Sequence, residues 1–211
     1  KIDLALQLEA DRMTNSIYSE KEVTSERTVI ISEREGHENE PMFRLGETVQ
    51  QTVFRVHPYH HEIIGDMADL HTITRDDLYE HYRKYYIPNN AVLAIAGDFE
   101  TKSMLKRVKE LFGSIPKGAT PPRLARPEPE PKGEVRLSIE GPGETTFIQV
   151  AYRFPNATHP DYIPLQVLDS LLGGASGLSY KTSRLYRALV DGEYAVDVSG
   201  WSESTIDPFL Y

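Results

Sequence analysis

Glu26 and Glu33 stand seven residues apart in the run SERTVIISERE, residues 25–35. On a helix, seven steps of about 100° bring both carboxylates to one face, two turns apart. Val23 and Ile30 belong to that face as well. A carboxylate on a core-facing stripe is costly unless a cation or a metal offsets its desolvation. Two readings stay open: an ion held beside the pair, or a helix rotated so that both glutamates are solvated and paired with Arg27 or Arg34. A second cluster is His57-Pro58-Tyr59-His60-His61, followed by Glu62. His57 and His61 could hold a metal only in helical register, which Pro58 disfavours, so a structural loop is expected there. His37, His71, His81 and His159 are scattered and read as surface or capping residues. Arg187 and Tyr194 are again seven apart, but across a helix end and a following segment. On their own they read as a helix-terminal arginine and a core-strand tyrosine.

The elements that must carry these residues follow from periodicity and punctuation. Leu4, Leu8 and Ile17, with Ala5 and Met13, predict a helical stripe over residues 2–17. A second helix is expected from residues 19–22 to about Glu38, where Pro41 bends or ends it, and a third over 42–54. Residues 56–66 read as a loop. Thr74 with Asp77 has the form of a capping box, opening a helix at Arg75 that Pro88 and Asn89-Asn90 terminate. AVLAIA, residues 91–96, reads as a buried strand, and residues 101–112 as a helix stopped by Gly113. Between Gly118 and Gly133 the prolines Pro121, Pro122, Pro127, Pro129 and Pro131 predict a stiff, extended linker. Residues 135–139 and 146–154 alternate like paired strands around Gly141-Pro142-Gly143. Helices over 160–172 and 183–190 and a strand over 194–198 complete the reading. Gly173, Gly174 and Gly177 make residues 171–184 a mobile loop, and Lys181 lacks the glycine a phosphate loop would place before it.

Composition narrows the chemistry. The 211 residues contain no cysteine, which removes disulfides, thiolate metal sites and cysteine nucleophiles from these residues. A formal net charge of -9 argues against a nucleic-acid partner, which needs clustered Lys and Arg. No apolar run approaches the ~20 residues of a membrane span. The opening KIDLALQLEADRM reads as part of an amphipathic helix rather than a leader, and both ends of the chain read as cut.

The run ERTVIISE resembles the zinc-binding helix of the pitrilysin/insulinase metallopeptidases. Further stretches agree with that family in order: LEADRM at 8–13, HPY at 57–59 followed by Ile64-Gly65, YYIPNNAVLAIAGDF at 85–99, LFGSIPKG at 111–118 and SRLYRALV at 183–190. The resemblance implies an α+β architecture, antiparallel sheets packed against helices in two homologous metallohydrolase-like (LuxS/processing-peptidase-like) domains. Both would be incomplete here: residues 1–117 as the C-terminal part of the zinc-binding domain, 118–133 as linker, and 134–211 as the start of the second domain. It implies one zinc ion per active site, with two histidines and a general-base glutamate from a His-x-x-Glu-His motif and a distal glutamate ligand. Glu33 falls at that ligand position and Glu26 at that of a supporting acid. Arg187 and Tyr194 fall where the second domain reaches the substrate carbonyl. The loop after α-helix 160–172 resembles in position a glycine-rich loop linked to substrate handling. No His-x-x-Glu-His occurs in these residues, so the motif is expected upstream of Lys1, and the 211 residues alone are expected to be inactive and to bind zinc poorly. The implied activity is endoproteolysis of short or unfolded peptides, in a homo- or hetero-dimer with a homologous subunit. The rival is a noncatalytic subunit or scaffold that binds peptides or a partner chain.

Overall fold

A computed structural model describes residues 1–122, 126–174, 180–203, 207 and 209–211. It is mostly helical with one small antiparallel sheet, broadly an α+β chain. Two compact units emerge, one from Lys1–His37 with Ile63–Ala125, the other from Glu38–Glu62 with Arg126–Tyr211.

The first unit contains α1 (Ile2–Asn15), α2 (Glu20–Glu38, its last residue in the other unit), α4 (Met67–Thr72), α5 (Arg75–Tyr85) and α6 (Thr101–Phe112); α3 (Pro41–Val53) belongs to the second unit. The inward face of α1 carries buried Leu6 and half-buried Ala10 and Met13, while Leu4 and Leu8 are exposed. The expected stripe was therefore displaced: spacing alone fits either set, and packing against α6 selects the Leu6 face. A tyrosine cluster fills the other side. Tyr82, only 2% exposed, donates its hydroxyl to the Arg12 carbonyl at 2.9 Å and accepts from the Ser16 amide at 3.3 Å. Tyr18, Tyr79 and Tyr86 pack around it, and Arg75 lies over Tyr79 while donating to the Tyr18 carbonyl.

The box expected at Thr74 is present. The Thr74 hydroxyl accepts from the Asp77 amide at 3.2 Å, and the Asp77 carboxylate accepts from the Thr74 amide at 2.8 Å. Thr74→Ala is expected to destabilise the chain by about 1 kcal/mol, read as a lower urea midpoint at unchanged slope.

The second unit contains α3, a 3-10 turn at Pro58–His60, β1 (Arg153–Phe154), α7 (Tyr162–Leu172) and β2 (Phe209–Leu210). β1 and β2 pair antiparallel, Arg153 opposite Leu210 and Phe154 opposite Phe209, and reciprocal bonds between Tyr152 and Tyr211 extend the ladder. Its apolar centre is aromatic. Phe54 stacks on Phe209 with centroids 5.5 Å apart and planes at 14°, and Tyr59 meets both edge-on.

Four strand expectations need correction. Residues 91–96, 135–139 and 194–198 form no ladder among the described residues, and of 146–154 only the last two are strand. Val92 and Val196 are almost wholly exposed, and Ile148 is 83% exposed. An alternating apolar sequence sets a preference, but a strand exists only where a second backbone supplies donors and acceptors.

Candidate active-site elements

Glu26 and Glu33 both lie within α2, and both are exposed. The covered stripe of this helix runs instead through Val23, Arg27, Ile30 and Arg34, at spacings of four, three and four. Of the two readings left open by the spacing, the structure agrees with the rotated helix and its exposed carboxylates, about 100° from a core-facing placement. Arginines occupy the stripe because their stems cover apolar surface while the guanidinium reaches a carbonyl. Arg27 does this by donating to the Ile73 carbonyl. The glutamates one position before Arg27 and Arg34 are left on the exposed side of α2.

Among the described residues, no three His, Asp or Glu side chains converge as a metal site. Among the carboxylates that α2 exposes are those of Glu33 and, two turns away, Glu26. That fits a ligand set completed by imidazoles from other residues, since hard and borderline ligands of this kind suit zinc.

The histidine cluster is structural, as Pro58 predicts. His57 caps the 3-10 turn, its Nδ1 accepting from the Tyr59 amide at 3.1 Å, so the ring carries its proton on Nε2, which faces the Asp207 carboxylate at 3.7 Å. His60 Nδ1 is bonded to the Phe54 carbonyl at 2.6 Å, and His60 and His61 pack edge to face.

Arg187 sits on a π-helical turn, Tyr186–Val190, and is exposed. Buried Ser183 starts this turn, its hydroxyl accepting from the Tyr186 amide at 3.3 Å. The chain then folds back so that the amides of Tyr194 and Ala195 both donate to the Leu189 carbonyl, at 2.8 and 3.0 Å. Tyr194 is therefore neither in a strand nor in a core: its side chain is 83% exposed, with its ring beside Gly192. π-turns inside helices recur at functional sites, because the extra residue re-aims the side chains around it.

The glycine-rich loop is described only at its root, since Gly177 and its neighbours over 175–179 lie outside the described residues. Gly173 closes α7 and approaches Gly200 so tightly that a Cβ on Gly173 would sit 2.4 Å from the Gly200 nitrogen. Next to this contact lies a residue that the sequence reading missed. Asp169 is 4% exposed, its Oδ2 accepts from Ser202 Oγ at 3.2 Å, and Gln166 in turn donates to that Oγ at 2.9 Å. Burial pushes the Asp169 carboxyl above its ordinary range. A lone acid in the apolar run YIPLQVLDSLL was the available signal.

Residues 72–209 match the family described as the Peptidase M16 inactive domain, more than half of the chain. The chain belongs to the pitrilysin/insulinase-type M16 peptidase family. Among its relatives, zinc protease PqqE of Helicobacter pylori is 29% identical over 195 residues, covering 90% of this M16 chain and 43% of that protein. A probable mitochondrial-processing peptidase subunit beta of Arabidopsis thaliana is 26% identical over 217 residues, covering all of this chain and 41% of its own. The crystal structure of a protease from Helicobacter pylori superposes with a TM-score of 0.84 at 26% identity, over 99% of this chain and 50% of that one. The peptidase M16 inactive domain of Pseudomonas fluorescens shares the fold, with a TM-score of 0.74 at 19% identity. The chain spans half or less of the length of these relatives. The M16 inactive-domain match includes Arg187 and Tyr194 and begins after α2, so Glu26 and Glu33 lie outside it.

Proposed function

We propose that the full-length protein containing these residues is a zinc-dependent endopeptidase that cuts short or unfolded peptides. The observation that carries this reading is the placement of Glu33 on the open face of α2, in an M16 chain whose relatives include named zinc proteases. Zinc, when bound, supplies Lewis acidity toward the scissile carbonyl. From this chain Glu33 would hold it and Glu26 would support the site, the two imidazoles coming from residues beyond these 211. Arg187 and Tyr194 donate hydrogen bonds to the substrate carbonyl oxygen, a role that gains strength as negative charge develops there. Residues 1–117 and 134–211 belong to two homologous domains joined by the proline-rich 118–133 stretch. The segments 91–96, 135–139 and 146–151, in no ladder among the described residues, take strands from the remaining half of the protein. A homologous subunit completes a homo- or hetero-dimer.

Cleavage of an unfolded peptide by the full-length protein, abolished by chelation and restored by zinc, is the test; a zinc-replete full-length protein without activity sinks the reading. Tyr194→Phe is expected to lower kcat by about a hundredfold with little change in KM and an unchanged circular dichroism spectrum. An unaltered kcat removes Tyr194 from the site.

The second reading, a noncatalytic subunit that binds peptides or a partner chain, draws on the inactive-domain match over 72–209. Sequencing the codons upstream of Lys1 separates the two, since only the peptidase requires His-x-x-Glu-His there.

A further inference from the structure

Three consecutive amides in the second unit point at a single oxygen. The backbone N–H groups of Arg55, Val56 and His57 donate to Glu128 Oε2 at 3.0, 2.7 and 2.9 Å. Successive amides converging in this way form an anion-binding concavity, here built from the loop that follows α3. The Glu128 side chain is only 6% exposed, and its other oxygen, Oε1, accepts no hydrogen bond from the described residues and faces Arg153 Nη2 at 3.6 Å. Burial pushes the carboxyl up, yet the bonds from His57, Val56 and Arg55 and the Arg153 charge outweigh it, so Glu128 stays below its ordinary range. Glu128 comes from the run PEPEP, and its neighbours Pro127 and Pro129 are a residue type with no N–H, which leaves this stretch few bonds of its own.

We infer that residues 55–57, with Arg153 beside them, form a carboxylate receptor that Glu128 fills as a tethered ligand, latching the proline-rich segment to the loop after α3. The geometry selects a carboxylate: three donors meet one oxygen, and a cation faces the other. The latch spans more than 70 residues of sequence, so its release would free residues 126–131 without unfolding α3 or β1.

Hydrogen–deuterium exchange on the full-length protein tests this. In Glu128→Ala the amides of residues 55–57 are expected to exchange about tenfold faster, while α5 is unchanged. Formate, which fits the vacated site, should restore protection, whereas chloride at equal ionic strength should not. Glu130→Ala, at an exposed neighbour in the same run, should leave the 55–57 amides as in the parent. Should Glu128→Ala fail to fold, Glu128→Gln keeps the volume with one neutral oxygen and should give an intermediate rate. Unchanged exchange in the Glu128 variants, equal loosening in Glu130→Ala, or rescue by chloride as well as by formate overturns the inference.

Discussion

Glu33→Gln in the full-length protein is expected to weaken zinc binding by at least about a hundredfold and to reduce peptide cleavage to background. The amide keeps the shape of the side chain but removes the negative charge through which the proposed ligand would hold a divalent ion. Because Glu33 is exposed on α2 and the covered stripe runs through Val23, Arg27, Ile30 and Arg34, the substitution should leave stability within about 0.5 kcal/mol. Metal analysis after dialysis and the urea midpoint are therefore read on the same sample. Full zinc occupancy in Glu33→Gln with a parental midpoint rules out the ligand assignment. Lost zinc with a lowered midpoint would instead assign α2 a structural role.

The largest loss of stability is expected at Phe54. Its ring is 2% exposed, stacked on Phe209, edged by Tyr59 and tilted against His57 with centroids 5.9 Å apart. Phe54→Ala removes the shared partner of three aromatic groups and leaves a cavity that such rigid rings cannot close. The expected cost is about 4 kcal/mol, a large part of the ~5–15 kcal/mol that holds a domain folded. Equilibrium urea unfolding should show it, with Val56→Ala, at a residue 46% exposed, as the mild comparison. A cost below about 1 kcal/mol at Phe54 would mean that the Phe209 strand does not pack there in solution.

What could be read in advance was what is written locally. The capping box at Thr74, the Pro41 break, Gly113 and the length of α6 are all set by residues within a few positions of one another, and each appears where its sequence puts it. Strands are different, because AVLAIA has the composition of a strand but cannot pair with itself. Choosing between equivalent helical faces failed for a related reason. Leu4 and Leu8 fit a stripe as well as Leu6, Ala10 and Met13 do, and only α6 decides.

In the candidate site, spacing found the glutamates and left their orientation open between a core-facing and a solvated face, and the structure shows the solvated one. Arg27 and Arg34 were considered only as partners of solvated glutamates, whereas Arg34 is 5% exposed and Arg27 reaches the Ile73 carbonyl. Tyr194 was assigned to a core strand, yet the turn that bonds its amide to Leu189 carries the ring outward. Nothing in PEPEP distinguishes Glu128 from Glu130; only the loop 70 residues earlier does so.

Gly173 meets main chain: a methyl on it would strike the Gly200 amide at 2.4 Å, whereas one on Gly200 would crowd the Tyr211 hydroxyl at 2.8 Å, the far end of a side chain. Such a junction offers no compensating exchange, since a smaller neighbour than glycine does not exist. In a saturation mutational map the Gly173 codon would be intolerant of larger residues whether or not the protein cuts anything, and a geneticist reading that map should not mistake it for chemistry.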